Sequence, residues 1–337
     1  MRKSLFYAAM LFATLLTACS SDDSENETIA DGKYEINIAS SISDAVTRGV
    51  TQGNYINTGE LVYVWGDVSN AIDETKDGTS WFNAWQLTAN GSNGFTHKAG
   101  DVKYYPGQNQ NIDLFAIHGN QLHFTAGTTE FPTSVSHTIY TDQTTTDAYV
   151  KSDLLYGTLK KQAHSTTTIP VTFYHMLSKI EIVLKPGVGV RDADLADISV
   201  NLLNVKPTVT FAPKKLTAEE LATQGTRANL LTNTGNATSV KFTPTKVEKA
   251  TDGYGTQYSE VIIPPQSYNG TDFMSITFNS GGLAGTTLYY QLTKDLLSGY
   301  VYQFNILISP TTFTLSPTVK PWESETTTRD KDMNKKS

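Results

Sequence analysis

The chain has 337 residues, a formal net charge of −7, and 39% hydrophobic but only 18% charged residues, which fits two domains of ordinary size and argues against nucleic acid or an anionic lipid surface as partner. Its single cysteine supplies neither a disulfide framework nor a cysteine-based zinc site, so a packed hydrophobic core has to hold the fold. Tyrosine, phenylalanine, threonine and valine are plentiful beside so few charges, which favours strands over helices.

The chain opens with Arg2 and Lys3, then an apolar run from Leu5 to Leu16, then Leu16-Thr17-Ala18-Cys19. This is the pattern of a charged n-region, an h-region and a cleavage site, and the run is too short to span a bilayer. A small-residue site ending in cysteine resembles the bacterial lipobox. Residues 1–18 are then a lipoprotein signal peptide, and the thiol of Cys19 carries lipid and becomes the new N-terminus. Several acyl chains there would hold the protein firmly on a membrane. The alternative is an ordinary secretory peptide with a chance cysteine at the cut. Removing Arg2 and Lys3 leaves 24 basic against 33 acidic residues, a net charge of −9. Residues 20–31 hold Asp22, Asp23, Glu25 and Glu27 with almost nothing apolar, as a disordered tether does. Asp22 and Asp23 resemble the acidic signal that accompanies outer-face display in lipoproteins of Bacteroidota.

From Lys33 the period becomes two: Tyr34, Ile36 and Ile38 alternate with Glu35 and Asn37, as a half-buried strand requires. Further strands are predicted at 61–65, 112–117, 171–174, 180–184, 198–205, 240–243 and 260–263. Clearer ones follow at Met274, Ile276 and Phe278, at Leu288, Tyr290 and Leu292, and from Tyr300 to Ile308. Turn pairs such as Asp77-Gly78, Asn90-Gly91, Asp252-Gly253 and Asn269-Gly270 punctuate them. Short strands so punctuated predict an all-β chain of antiparallel β-sandwiches. One short helix is predicted where Thr217-Ala218-Glu219-Glu220 has capping-box spacing, running into Leu221 and ending at Gly225.

Between the first strand and Tyr55, residues 40–50 are mostly small and polar and contain Arg48-Gly49. Such a segment is open to nicking by an arginine-specific protease. A cut after Arg48 would free the lipid, the tether and the first strand together. Read without other information, the same residues also suit a plain interstrand loop.

Signals for catalysis or metal binding are weak. The six histidines are scattered; His118 and His123 flank a Gly119-Asn120 turn, where a structural or solvated role outweighs a metal site. Asp192, Asp194 and Asp197 lack the glycine and distal glutamate of a calcium loop and read as a solvated loop. Gly281-Gly282 and Gly285 read as a hairpin loop, not a phosphate cradle. There is no Gly-x-Ser-x-Gly elbow, and lipidation leaves no nucleophilic cysteine. Neither enzyme chemistry nor a cofactor is expected. Trp81-Phe82-Asn83-Ala84-Trp85 suits a stacking platform for sugars or, equally, a loop whose aromatics are partly core.

Several of these pieces, taken in order, resemble the fimbrillin family, the FimA-like and Mfa-like pilins of Bacteroidota that mature from surface lipoproteins. They are the lipobox at Leu16 to Cys19, Val46-Thr47-Arg48-Gly49, Tyr104-Tyr105-Pro106 and Ser152-Asp153-Leu154-Leu155-Tyr156-Gly157. With them go Phe173-Tyr174-His175-Met176-Leu177-Ser178-Lys179-Ile180, Val261-Ile262-Ile263-Pro264-Pro265-Gln266, Leu297-Ser298-Gly299-Tyr300 and the closing Val319-x-Pro321-Trp322. The resemblance implies two transthyretin-like β-sandwich domains, expected at residues 49–176 and 177–322, after a lipidated tether and removable first strand at 19–48 and before a polar tail at 323–337. It implies cutting between Arg48 and Gly49, departure of the strand bearing Tyr34, Ile36 and Ile38, and its replacement by a strand from another subunit.

In the resembled family the donor is a C-terminal extension with alternating apolar residues. Here the tail after Trp322 has Met333 as its only large apolar residue, and residues 313–322 contain Pro317 and Pro321, each of which removes a ladder donor. The expectation is a tip or accessory subunit that accepts a strand. A shaft subunit donating 313–322, an anchor subunit that keeps its lipid, and a permanently anchored glycan-binding lipoprotein are the alternatives.

Overall fold

The computed structural model describes residues 33–42, 56–70, 76–107, 109–119, 122–242, 246–249, 255–309 and 313–322; Cys19, Arg48, Gly49 and the tail 323–337 lie outside the described residues. The first half contains β1 (Ile38–Ile42), β2 (Leu61–Val68), β3 (Thr79–Ala89), β4 (Phe95–His97), β5 (Ile112–Gly119), β6 (Val135–Thr138), helix α1 (Thr146–Val150), β7 (Leu154–Gln162) and β8 (Ile169–His175). Then follow β9 (Ser178–Pro186), α2 (Asp192–Leu195), β10 (Ile198–Val205), β11 (Thr208–Phe211), α3 (Ala218–Ala222), α4 (Gln224–Asn229), β12 (Leu231–Thr234) and β13 (Thr238–Phe242). The last strands are β14 (Lys246–Lys249), β15 (Gly255–Ile263), β16 (Gln266–Phe278), β17 (Thr287–Leu296), β18 (Tyr300–Ile308) and β19 (Phe313–Pro321).

These strands make an all-β chain of four sheets among the described residues: β1-β8-β7-β5-β2-β3-β4, β14-β15-β9-β18-β19, β13-β10-β16-β17 and β12-β11-β6. The expected antiparallel pairing holds except at two seams, β1 with β8 and β9 with β18, which run parallel. Each parallel seam joins strands far apart in sequence, since a parallel partner cannot be reached by a tight turn.

Period-two alternation divides the core. On β2, Val62 and Val64 point into one apolar cluster while Tyr63 and Trp65 point into the other. The smaller cluster lies inside the curl of the seven-stranded sheet and includes Ile36, Val64, Trp85, Leu114 and Phe173. The larger is continuous from Trp65 through Tyr156 and Phe211 to Phe304 and Trp322. The chain passes from the seven-stranded to the five-stranded sheet at Met176-Leu177, between β8 and β9.

Local differences from the sequence expectation have physical causes. The Trp81–Trp85 stretch is part of strand β3, whose alternation is broken at Ala84 by a bulge with φ 39°, where the β2–β3 register shifts. Thr217 caps α3 with the expected box, but the helix ends at Ala222, and Gly225 lies within α4. Asp194 is not solvated: it is buried, and its carboxylate accepts from the Arg191 and Gly282 backbones, pinning the loop between β16 and β17.

Candidate strand-exchange groove

The N-terminal segment closes a gap between the two ends of the seven-stranded sheet. On one side β1 runs parallel to β8, with Ile38 opposite Ile169 and Ile42 opposite Phe173, and Ile169 N donates to Asn37 O at 2.9 Å. On the other side Ser40 N donates to Asn93 O at 2.7 Å, Ile36 N to Lys103 O at 2.8 Å, and Tyr105 N to Tyr34 O at 2.9 Å. Isolated bridges join Ala39 to Gly94 and Glu35 to Tyr104. One extended segment therefore satisfies backbone groups on two rims that would otherwise be unpaired.

Its side chains follow the same logic. Ile36, Ile38 and Ile42 are 1%, 6% and 6% exposed and belong to the smaller core, while Asn37 and Ser41 face outward. Three buried isoleucines contribute on the order of 5–9 kcal/mol to seating the strand. Tyr34 is half-buried, its ring 4.2 Å from that of His164, and the Glu35 carboxylate lies 3.4 Å from His97 Nε2. Of the expected strand residues, Ile36 and Ile38 fill the interior and Tyr34 covers its mouth. The ladder with β8 starts only at Ile38 and extends to Ile42, beyond the alternation of Tyr34, Ile36 and Ile38 that marks the strand in the sequence.

The β8 rim of the groove continues into the middle of the molecule. Gly157 on β7 lets β8 lie close: a Cβ there would stand 3.0 Å from Phe173 Cδ1 and Val171 Cγ1. At its far end β8 carries His175, whose Nδ1 lies 2.8 Å from the Asp153 carboxylate and whose ring stacks on Trp322. Next on β9, the fully buried Lys179 ammonium lies 3.1 Å from Glu181 and 3.3 Å from Glu260, and Tyr149 Oη donates to Glu260 at 2.7 Å. Burial raises the Glu260 carboxyl against the opposing pull of Lys179, and burial, then Glu260, pushes Tyr149 well up. The turn at Gly299, φ 70°, closes this region: Gly299 N donates to Leu177 O, Trp322 N to Gly299 O, and Ser298 Oγ to Met176 O. The sequence segments around Asp153, His175, Ser298 and Trp322 thus converge in space. The ionic cluster they surround had no linear signature.

The other candidates separate. Trp85 is buried with its indole N–H on Asp101 O, whereas Trp81 is 46% exposed with its own on Tyr104 O, so the two do not form one sugar-stacking platform. His118 is buried and bonded to Leu61 O while His123 is exposed. Among the described residues no group of three histidines, cysteines or acids is placed to hold a metal.

A fimbrillin-like family model matches residues 47–322. The chain belongs to the fimbrillin-like family. It is 25% identical over 333 residues, with 96% of each chain covered, to a protein of Bacteroides uniformis described as a candidate fimbrium subunit, Fim1C. Solved structures of candidate cell adhesion proteins share its fold: one from Bacteroides uniformis (TM-score 0.59, 19% identity) and one from Bacteroides ovatus (TM-score 0.62, 17% identity), each covering 87% of this chain and 99% of the other. Family membership makes the chain a surface fimbrial subunit that assembles with other fimbrillin subunits, and not an enzyme. The matched span begins after β1, so the first strand lies outside it.

Proposed function

We propose that this fimbrillin-like chain is a tip or accessory subunit that accepts a strand. It reaches the outer membrane as a lipoprotein acylated at Cys19. Cleavage between Arg48 and Gly49 frees residues 19–48, and a strand from a neighbouring subunit takes the vacated groove. The observation that carries this reading is the seat of the first strand: one segment, continuous with the tether, closes both ends of the curled sheet and buries Ile36, Ile38 and Ile42. Its departure exposes two backbone rims and an apolar slot, the state in which a sheet recruits a foreign strand.

The acceptor role is favoured over a donor role by the other end of the chain. Strand β19 pairs with β18 along its length, from Phe313 opposite Ile308 to Pro321 opposite Tyr300, and its prolines suit the edge position it occupies. The domain limits proposed for the mature subunit are 49–176 and 177–322.

The test is proteolysis of the folded, unlipidated protein from Ser20 to Ser337 with an arginine-specific protease, read by intact mass. A body that begins at Gly49, with Arg191 and Arg227 intact, supports the reading. A folded protein that resists at Arg48 contradicts it and points to a lipoprotein that keeps its first strand.

A further inference from the structure

The acceptor reading leaves open which strand fits. The resident segment is a template for the answer, because each of its positions meets a different surface. At Tyr34 the ring rests against His164, which is itself 6.2 Å edge-on from Tyr105. At Glu35 the carboxylate faces His97; beside it the Lys103 ammonium is taken by Asp101, and Lys33 lies over the Tyr104 ring. At Ile36 and Ile38 the slot is deep and apolar. Ala39, on the face opposite the isoleucines, is nonetheless buried, paired with Gly94 across one rim and Pro170 across the other. Ser40 lies on the isoleucine face and is only 4% exposed, with its N–H fixed to Asn93 O. Ile42 fills the last position against the cluster.

Resting on the acceptor reading, we infer that the groove selects a donor strand from a different subunit with the pattern aromatic, acid, Ile, any, Ile, small, small, any, Ile. The alternation sets register, since a slip by one residue turns every isoleucine outward. The acid and the aromatic set identity, because His97 and His164 stand at the mouth where a donor must present its first residues. Residues 313–321 of this chain do not fit: with Phe313 at the aromatic position, Thr314 replaces the acid and Pro317 falls on the site of Ile38. Residues 313–321 of a second copy are therefore not the donor in that register.

The test uses the arginine-cleaved protein and a fluorescent peptide of residues 33–42, displaced by unlabelled peptides. Expected competitors are the parent peptide; its Glu35→Lys form, about fivefold weaker as befits a partly exposed polar contact at 3.4 Å; and a form with the alternation shifted by one residue, weaker by about a hundredfold. The 313–322 peptide should not compete. In a His97→Glu acceptor the preference for the parent peptide over its Glu35→Lys form should reverse. Equal competition by any alternating apolar peptide, with no reversal, overturns the inference while leaving the acceptor reading standing. Failure of the parent peptide itself to enter the cleaved protein overturns both.

Discussion

The Trp322 indole lies flat on the His175 imidazole, with ring centroids 3.8 Å apart and planes within 5° of parallel, so the end of the last described strand is fastened to the end of the strand that forms one rim of the groove. Both residues are essentially buried, and the Trp322 backbone is tied to Gly299. Replacing Trp322 with alanine is expected to cost about 3–5 kcal/mol. Equilibrium denaturation of the uncleaved protein measures this, and Trp322→Phe, which keeps a ring on His175, should lose less.

Lys179 is the buried counter-charge for Glu181 and Glu260. Lys179→Met strands two carboxylates inside the protein and should destabilise it by about 3–5 kcal/mol. The denaturation midpoint reports the loss, and removing Glu181 in the same chain should restore part of it, which independent effects would not do.

Acid sensitivity should be traceable to His118 and His137. Burial lowers both below their ordinary value of 6.5, and hydrogen bonds to Leu61 O and Ser152 O only partly oppose it. Below about pH 6.5 the unfolded chain takes up protons that these folded rings refuse, so their contribution is intact above that pH and declines as pH falls through it. Glu260 and Asp67, both raised by burial, act in the opposite sense at lower pH. The clean comparison is therefore of slopes: stability between pH 7 and 5 should fall less steeply in His137→Gln, which can still donate to Ser152 O, than in the parent.

The seat of the first strand predicts a graded effect of its isoleucines. Ile36→Ala and Ile38→Ala should each weaken the strand by about 2–5 kcal/mol. In the uncut chain this appears as faster hydrogen exchange at residues 36–42. After cleavage it appears as faster loss of the 20–48 fragment, while Asn37→Ala, at an exposed position, should change neither.

Much of this was legible in the sequence where one face is wet and the other dry. Strand β18 is legible from Tyr300 to Ile308 because Tyr302, Phe304, Ile306 and Ile308 alternate with wetter positions, and β10 is legible from Ile198 to Leu202, beyond which its alternation breaks before Val205. Strand β3 was not, because the Ala84 bulge puts buried Phe82 and buried Trp85 out of phase and leaves Trp81 outside. Within the groove, Ile36 and Ile38 were identifiable by pattern, but their partners were not: His97, His164, Asn93 and Pro170 come from separate strands and loops with no shared spacing. The cluster around Lys179 was hidden for a similar reason, since a lysine and two glutamates look solvated until the fold brings Glu260 from β15 beside Lys179 and Glu181 on β9. Family motifs marked His175 and Trp322 separately; only the fold brings them together.

The central claim is that the assembled subunit has lost its first strand and carries a neighbour's in its place. It is tested most directly by mass spectrometry of fimbriae sheared from cells that express this chain. The account predicts a subunit beginning at Gly49, with no peptide from residues 20–48. A subunit that is present in the fibre and still begins at an acylated Cys19 would contradict it.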